Sequence, residues 1–144
     1  MEKEILFAKA LEARENAYAP YSGYKVGAAL YTKDGNLYTG CNIENASYGA
    51  TNCAERTAVF KAVSNGEREI VMIAVAGGNA DEPTSYAYPC GVCRQVLREF
   101  SVPSELKIFV VKSLAEYKEF TLDELLPNSF GPDFNTGKET VPCD

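Results

Sequence analysis

Histidine is absent from all 144 residues of the sequence. That absence excludes Ser–His and Cys–His catalytic pairs, and every zinc site that depends on imidazole. Basic residues are scarce: 14 Lys and Arg against 20 Asp and Glu leave a formal net charge of −6. Affinity for a polynucleotide comes largely from phosphate neutralisation, so no nucleic-acid partner is expected. Long apolar runs are missing as well. Those present, such as Ile70 to Gly77, fall far short of the roughly 20 residues a membrane-spanning helix needs. No membrane association is expected. The opening Met1-Glu2-Lys3-Glu4 has neither the basic nor the apolar region of a secretory signal, which predicts a cytoplasmic protein.

What the sequence does contain is the material of a packed core. Apolar residues make up 46%, with nine tyrosines and seven phenylalanines, a composition that excludes disorder. The length suits one domain, and no repeat, linker or low-complexity tract divides it. Five cysteines are present, an odd number. In a reducing compartment such residues serve metals or chemistry more often than disulfides.

Ile5, Leu6, Ala8, Leu11 and Ala17 recur at helical spacing between Glu4 and Tyr18, and Pro20 stops that element. Val26 to Thr32 and Leu37 to Asn42, joined by Lys33-Asp34-Gly35-Asn36, read as a β-hairpin. A helix is expected from Ala54 to Val63, ending near Asn65-Gly66. The continuous apolar run Ile70 to Ala76 reads as a strand covered on both faces. A second buried strand is expected from Leu106 to Val111. Between the two lies a helix opened by Pro89, and a short helix from Leu122 to Leu126 precedes Pro127. This order indicates helices layered on a mixed sheet with an antiparallel hairpin at one end. The polar stretch from Gly131 to Asp144 is expected to be a loosely ordered tail.

Three cysteines stand at helix starts: Cys53 in Asn52-Cys53-Ala54-Glu55-Arg56, and Cys90 and Cys93 in Pro89-Cys90-Gly91-Val92-Cys93. Pro89 suits the first position of a helix, where its missing N–H costs nothing. Cys90 and Cys93 are then neighbours on one face. Helix N-termini favour thiolates, the form that binds metal. Three thiolates are one short of a closed structural zinc site, and an open fourth position marks a catalytic one. Cys41, on an expected strand, reads as a small buried residue, and Cys143 lies in the tail. Glu55, two residues after Cys53, can approach the ion without ligating it and can move a proton between water and a leaving group. Three thiolates more than neutralise a divalent ion, and Arg56 beside the sulfurs withdraws some of that charge.

These motifs, in this order, match the zinc-deaminase signature with Cys in place of the first His. The chain resembles the small cytidine deaminase family over most of its length. The segments carrying the resemblance are Tyr18-Ala19-Pro20-Tyr21-Ser22, Val26-Gly27-Ala28-Ala29-Leu30, Gly40-Cys41-Asn42-Ile43-Glu44-Asn45-Ala46, both cysteine motifs, and Glu124-Leu125-Leu126-Pro127 followed by Phe130. The resemblance implies a three-layer α/β/α fold with a mixed five-stranded sheet, residues 1–130 forming the catalytic domain and 131–144 a tail. It implies a homotetramer with one Zn²⁺ per chain, and hydrolysis of cytidine and 2′-deoxycytidine to the uridines in pyrimidine salvage. Cys53, Cys90 and Cys93 would hold zinc and Glu55 would carry protons. Asn42 and Glu44 would bind the ribose 3′-hydroxyl. Backbone groups of Ala54 and Tyr88 would contact the base and the departing ammonia. Tyr24, Tyr48 and Phe130 would line the pocket, Phe130 reaching a neighbouring subunit. Tyr24 stands where the family more often has Phe, and Tyr88 where it has Ser or Thr.

Asn42 and Glu44 are alternate residues on an expected strand, so their side chains share a side. Without a Lys/Arg cluster or Gly-rich cradle beside them, free nucleosides fit better than nucleotides. Three other readings remain open. A deaminase acting on a cytosine nucleoside antibiotic such as blasticidin S would lack the Asn-x-Glu pair and the Arg after Cys-x-Glu. A non-catalytic zinc-stabilised binding module would have no need of Glu55. A thiol–disulfide oxidoreductase would be indifferent to Cys53 and to chelation.

Overall fold

The computed structural model describes residues 1–79, 84–133 and 138–139. In chain order the elements are α1 (Lys3–Arg14), β1 (Tyr24–Thr32), β2 (Leu37–Cys41), a single 3₁₀ turn (Tyr48–Ala50), α2 (Ala54–Ser64), β3 (Ile70–Asn79), α3 (Gly91–Glu99), β4 (Lys107–Val111), β5 (Tyr117–Thr121) and α4 (Leu122–Leu125). Five strands form one sheet in the order β2-β1-β3-β4-β5. Only β3 and β4 run parallel, with Ile73 opposite Ile108 and Val75 opposite Val110. A parallel pair needs a crossover, and α3 lies within it.

The apolar run of β3 divides between two cores, as alternation in a strand requires. Ile73 and Val75 pack with Ala58, Val59 and Ala62 of α2, Leu97 of α3 and Leu122 of α4. Ala74 and Ala76 pack on the other face with Leu6, Phe7 and Ala10 of α1. Phe7 meets Phe109 edge-on, ring centroids 5.1 Å apart. The result is three layers, α/β/α, with a mixed five-stranded sheet.

Two helices come unusually close to the sheet at glycines. A methyl on Gly27 of β1 would lie 2.1 Å from the Ala10 carbonyl and 2.4 Å from the Arg14 amide of α1. One on Gly40 of β2 would lie 2.5 Å from the Ala58 amide and 2.7 Å from the Ala54 carbonyl of α2. The obstructing atoms are backbone, so a whole helix must shift. Gly27→Ala is therefore expected to cost about 2–3 kcal/mol and lower Tm by roughly 5–10 °C, measured by thermal unfolding.

Several expectations are corrected. The first helix ends at Arg14 rather than Tyr18. The Arg14 side chain turns back to the Lys25, Gly78 and Asn79 carbonyls, and Tyr18 leaves the helix to donate its amide to Asn42 O. The residue pattern alone marks four strands; the fifth, which the resemblance implies, is β5, an edge strand of sequence YKEFT. β3 runs on to Asn79 because Gly77 and Gly78 pair with Val26 and Lys25. β2 stops at Cys41, so Asn42 and Glu44 lie just past its end, where Ile43 bridges to Tyr18 and Asn52. Cys41 is half-buried rather than buried. Of the expected loose tail, Pro132–Asp133 pairs antiparallel with Lys138–Glu139; residues 134–137 and 140–144, Cys143 among them, lie outside the described residues.

Candidate metal centre and active site

Cys53 and Cys90, 37 residues apart in sequence, are the N-caps of α2 and α3. Both have extended backbone, φ −79° and ψ 157° for Cys53, φ −70° and ψ 167° for Cys90. Pro89 consequently precedes the cap instead of opening the helix. Cys90, still extended after it, takes the capping role, its Sγ accepting from the Cys93 amide. Cys93 sits one turn into α3 and is buried.

All three sulfurs lie within 4.8 Å of one another. Cys53 Sγ is 3.8 Å from Cys90 Sγ, and Cys90 Sγ is 3.4 Å from Cys93 Sγ. Tetrahedral zinc with Zn–S bonds of about 2.3 Å requires sulfurs about 3.8 Å apart, so this donor set fits the ion. The protons report the same crowding. Cys53 is pulled down to about 5, first by hydrogen bonding from Cys93 and also by the Arg56 guanidinium. Cys93 is pushed up by its bond to Cys53 and by burial. One thiolate forces its neighbour to keep a proton, and a divalent cation removes that conflict for all three.

Glu55 is the second residue of α2 and only 4% exposed. Burial, helped by the Cys53 charge, pushes its carboxyl up to about 7, the range in which an acid–base group works best at neutral pH. Arg56 donates from Nη2 to Cys53 Sγ at 3.3 Å. Ala54, the first residue of α2, is buried, and its amide belongs to the first turn, which has no intrahelical acceptors.

Glu55, Cys53, Cys90 and Ala54 line a cavity of about 300 Å³ with Tyr24, Asn42, Glu44 and Tyr88, a volume in the range of small-molecule sites. It opens near the carboxyl end of β3, from which Val75 contributes, where ligands of open α/β sheets bind. Asn42 is committed to the fold: Oδ1 accepts from the Val26 amide and Nδ2 donates to the Tyr24 carbonyl, both at 2.8 Å. Its Oδ1 keeps a second lone pair. Glu44 accepts from the Tyr21 and Ser22 amides at 2.9 and 3.1 Å and from the Ser22 hydroxyl. The Ser22 bonds hold its carboxyl below the usual carboxylate range.

One residue expected at the pocket lies beside it. Tyr48 lines an adjoining hollow with Tyr21, Ser22, Glu44 and Thr51. Phe130 does not line the chain's own cavity; it is exposed, and its carbonyl accepts from Gln95 Nε2. Sequence reasoning assigned no role to Ser22, Asn52 and Tyr86, which all line the cavity. Ser22 stood in a turn-forming Pro-Tyr-Ser-Gly segment whose contact with Glu44 spans 22 residues, and nothing in the local pattern marked Tyr86.

A three-layer fold that brings three thiols and a buried carboxyl to two helix N-termini defines a metal-binding α/β protein with a hydrolytic donor set. A model of the family described as "Cytidine and deoxycytidylate deaminase zinc-binding region" matches residues 1–109. The chain is 49% identical over 130 residues to a cytidine deaminase of Halalkalibacterium halodurans, covering 90% of this chain and 95% of that one. It is 48% identical over 130 residues to one of Sporosarcina psychrophila, covering 90% and 92%. The crystal structure of cytidine deaminase from Burkholderia pseudomallei superimposes with a TM-score of 0.80 at 45% identity, over 90% of this chain and all of that one. The chain belongs to the cytidine and deoxycytidylate deaminase family.

Proposed function

We propose that this protein hydrolyses cytidine and 2′-deoxycytidine to uridine and 2′-deoxyuridine, releasing ammonia. The carrying observation is the buried Glu55 carboxyl beside three clustered sulfurs, in a cavity also lined by Asn42 and Glu44. Cys53, Cys90 and Cys93 would hold Zn²⁺, which when bound supplies the Lewis acidity that makes water nucleophilic at neutral pH. Glu55 takes a proton from the attacking water and places it on N3 of cytosine, making C4 electrophilic. After oxygen adds to C4, Glu55 carries the second water proton to the exocyclic nitrogen, the C4–N bond breaks and ammonia leaves. The Ala54 amide and the Tyr88 carbonyl orient the base. Glu44, kept ionised by Ser22, accepts from the ribose 3′-hydroxyl, and Asn42 holds both the strand and the sugar.

Residues 1–130 form the catalytic unit of this reading, and 131–144 its tail. The four-chain assembly implied by resemblance would give exposed Phe130 a neighbouring pocket to enter. Among the described residues no helix is long and apolar enough to cross a membrane. A cytoplasmic role in pyrimidine salvage is part of the same proposal.

Ammonia release from cytidine, measured on purified protein beside cytidine 5′-monophosphate, tests the reading. Turnover of the nucleoside is expected to exceed that of the nucleotide by at least about tenfold, since Glu44 repels a phosphate and among the described residues no cation lines the cavity. Preference for the monophosphate overturns the substrate assignment, and no ammonia from either overturns the function.

A further inference from the structure

Tyr86 and Tyr88 line the cavity from the segment that precedes α3. Anchors of its described residues include the Ser85 amide on Gly77 O at 2.8 Å, the Thr84 hydroxyl on the Lys112 carbonyl, and Arg94 Nε on the Pro89 carbonyl at 2.8 Å. Ala87 between the two tyrosines is buried, and Cys90 follows two residues after Tyr88.

The rings are braced from outside by β5. The Lys118 ammonium lies 4.5 Å from the centroid of Tyr86 and 5.8 Å from that of Tyr88, and donates to the Tyr88 hydroxyl at 3.1 Å. Among the described residues no carboxylate lies within 4.0 Å of it. Phe120, on the same side of β5 as Lys118, meets Tyr88 edge-on with centroids 6.1 Å apart. A lysine on an exposed edge strand usually keeps its charge in water. Lys118 is itself exposed, and its ammonium also lies against two rings that both border the site.

We propose that Lys118 is a positioning residue: by bracing Tyr86 and Tyr88 it fixes the 84–88 wall of the nucleoside cavity and sets substrate affinity. The proposal rests on the nucleoside reading above. Lys118 touches the two rings and not the Tyr88 carbonyl, and rings that flank substrate in the ground and transition states alike act on KM and leave kcat unchanged.

Lys118→Met keeps the aliphatic stem and removes the charge and the donor. It is expected to raise KM for cytidine roughly three- to tenfold, with kcat and zinc content unchanged. Uridine, the product, should become a weaker competitive inhibitor by the same factor. Lys118→Arg, which restores both charge and donor, should return KM to the wild-type value. Tyr88→Phe, which loses only the hydroxyl, should fall between. Unchanged KM in Lys118→Met, a loss confined to kcat, or failure of Lys118→Arg to rescue each overturns the proposal while wild-type turnover stands. A wild-type protein that releases no ammonia overturns the nucleoside reading, and this proposal with it.

Discussion

Glu55→Gln is expected to lower kcat on cytidine by at least about 10²–10⁴-fold, the usual contribution of a positioned acid–base group, while zinc content stays at one per chain. The amide matches the carboxyl in shape but cannot take a proton from water and return it to nitrogen. It also leaves the three sulfurs in place, which separates proton transfer from metal binding. Stability supplies an independent check with a defined sign. Burial raises the folded-state pKa of Glu55 to about 7, above its unfolded value, so in the metal-free protein the ionised form opposes folding once pH exceeds the ordinary carboxylate range. The metal-free Gln variant should therefore melt no lower than wild type, and its advantage should grow as pH rises to about 7 and level off beyond. Near-normal turnover in Glu55→Gln would remove this residue from the mechanism.

Loss of the metal should be at least as damaging. Chelation is expected to abolish ammonia release, and zinc added back in stoichiometric amount should restore it. Cys90→Ser makes the same point genetically. Serine is among the preferred N-caps, so the bond Cys90 Sγ accepts from the Cys93 amide has a replacement and α3 should keep its start. Zinc content should nonetheless fall well below one per chain. Activity should drop by more than the ~10–100-fold typical of losing a supporting hydrogen bond to a metal ligand. Far-UV circular dichroism should be unchanged. Activity that survives chelation would favour thiol–disulfide chemistry, for which a Cys90–Cys93 pair with sulfurs 3.4 Å apart would suffice.

The parts of the molecule legible in sequence are those whose signal is local. IVMIAVA announced β3 because a central strand is apolar on both faces, and Cys-x-Glu with Pro-Cys-x-x-Cys announced the metal centre because ligand spacing follows helix geometry. β5 escaped because YKEFT sits at an edge with Lys118 and Glu119 in solvent, leaving no apolar pattern to read. The end of α1 was placed too late because Ala17 continued the helical spacing, while the interactions that stop the helix, Arg14 on the Gly78 and Asn79 carbonyls, span more than 60 residues. The committed amide of Asn42, the Ser22–Glu44 bond and the tyrosines near Lys118 are likewise long-range. Residue type hinted at each of these side chains but not at its partner.

Gly40 gives the site a dependence that no ligand contact would reveal. α2 rests directly on this position, and the first three residues at that end of the helix are a thiol, the Ala54 backbone and the acid. The bare strand surface thus acts as a datum plane: helix height above the sheet is set there, and the altitude of the Glu55 carboxyl over the sulfurs is inherited from it. A single hydrogen standing in for a side chain, on a strand that contributes no residue to the cavity lining, calibrates how the thiol and the carboxyl at the helix start are set.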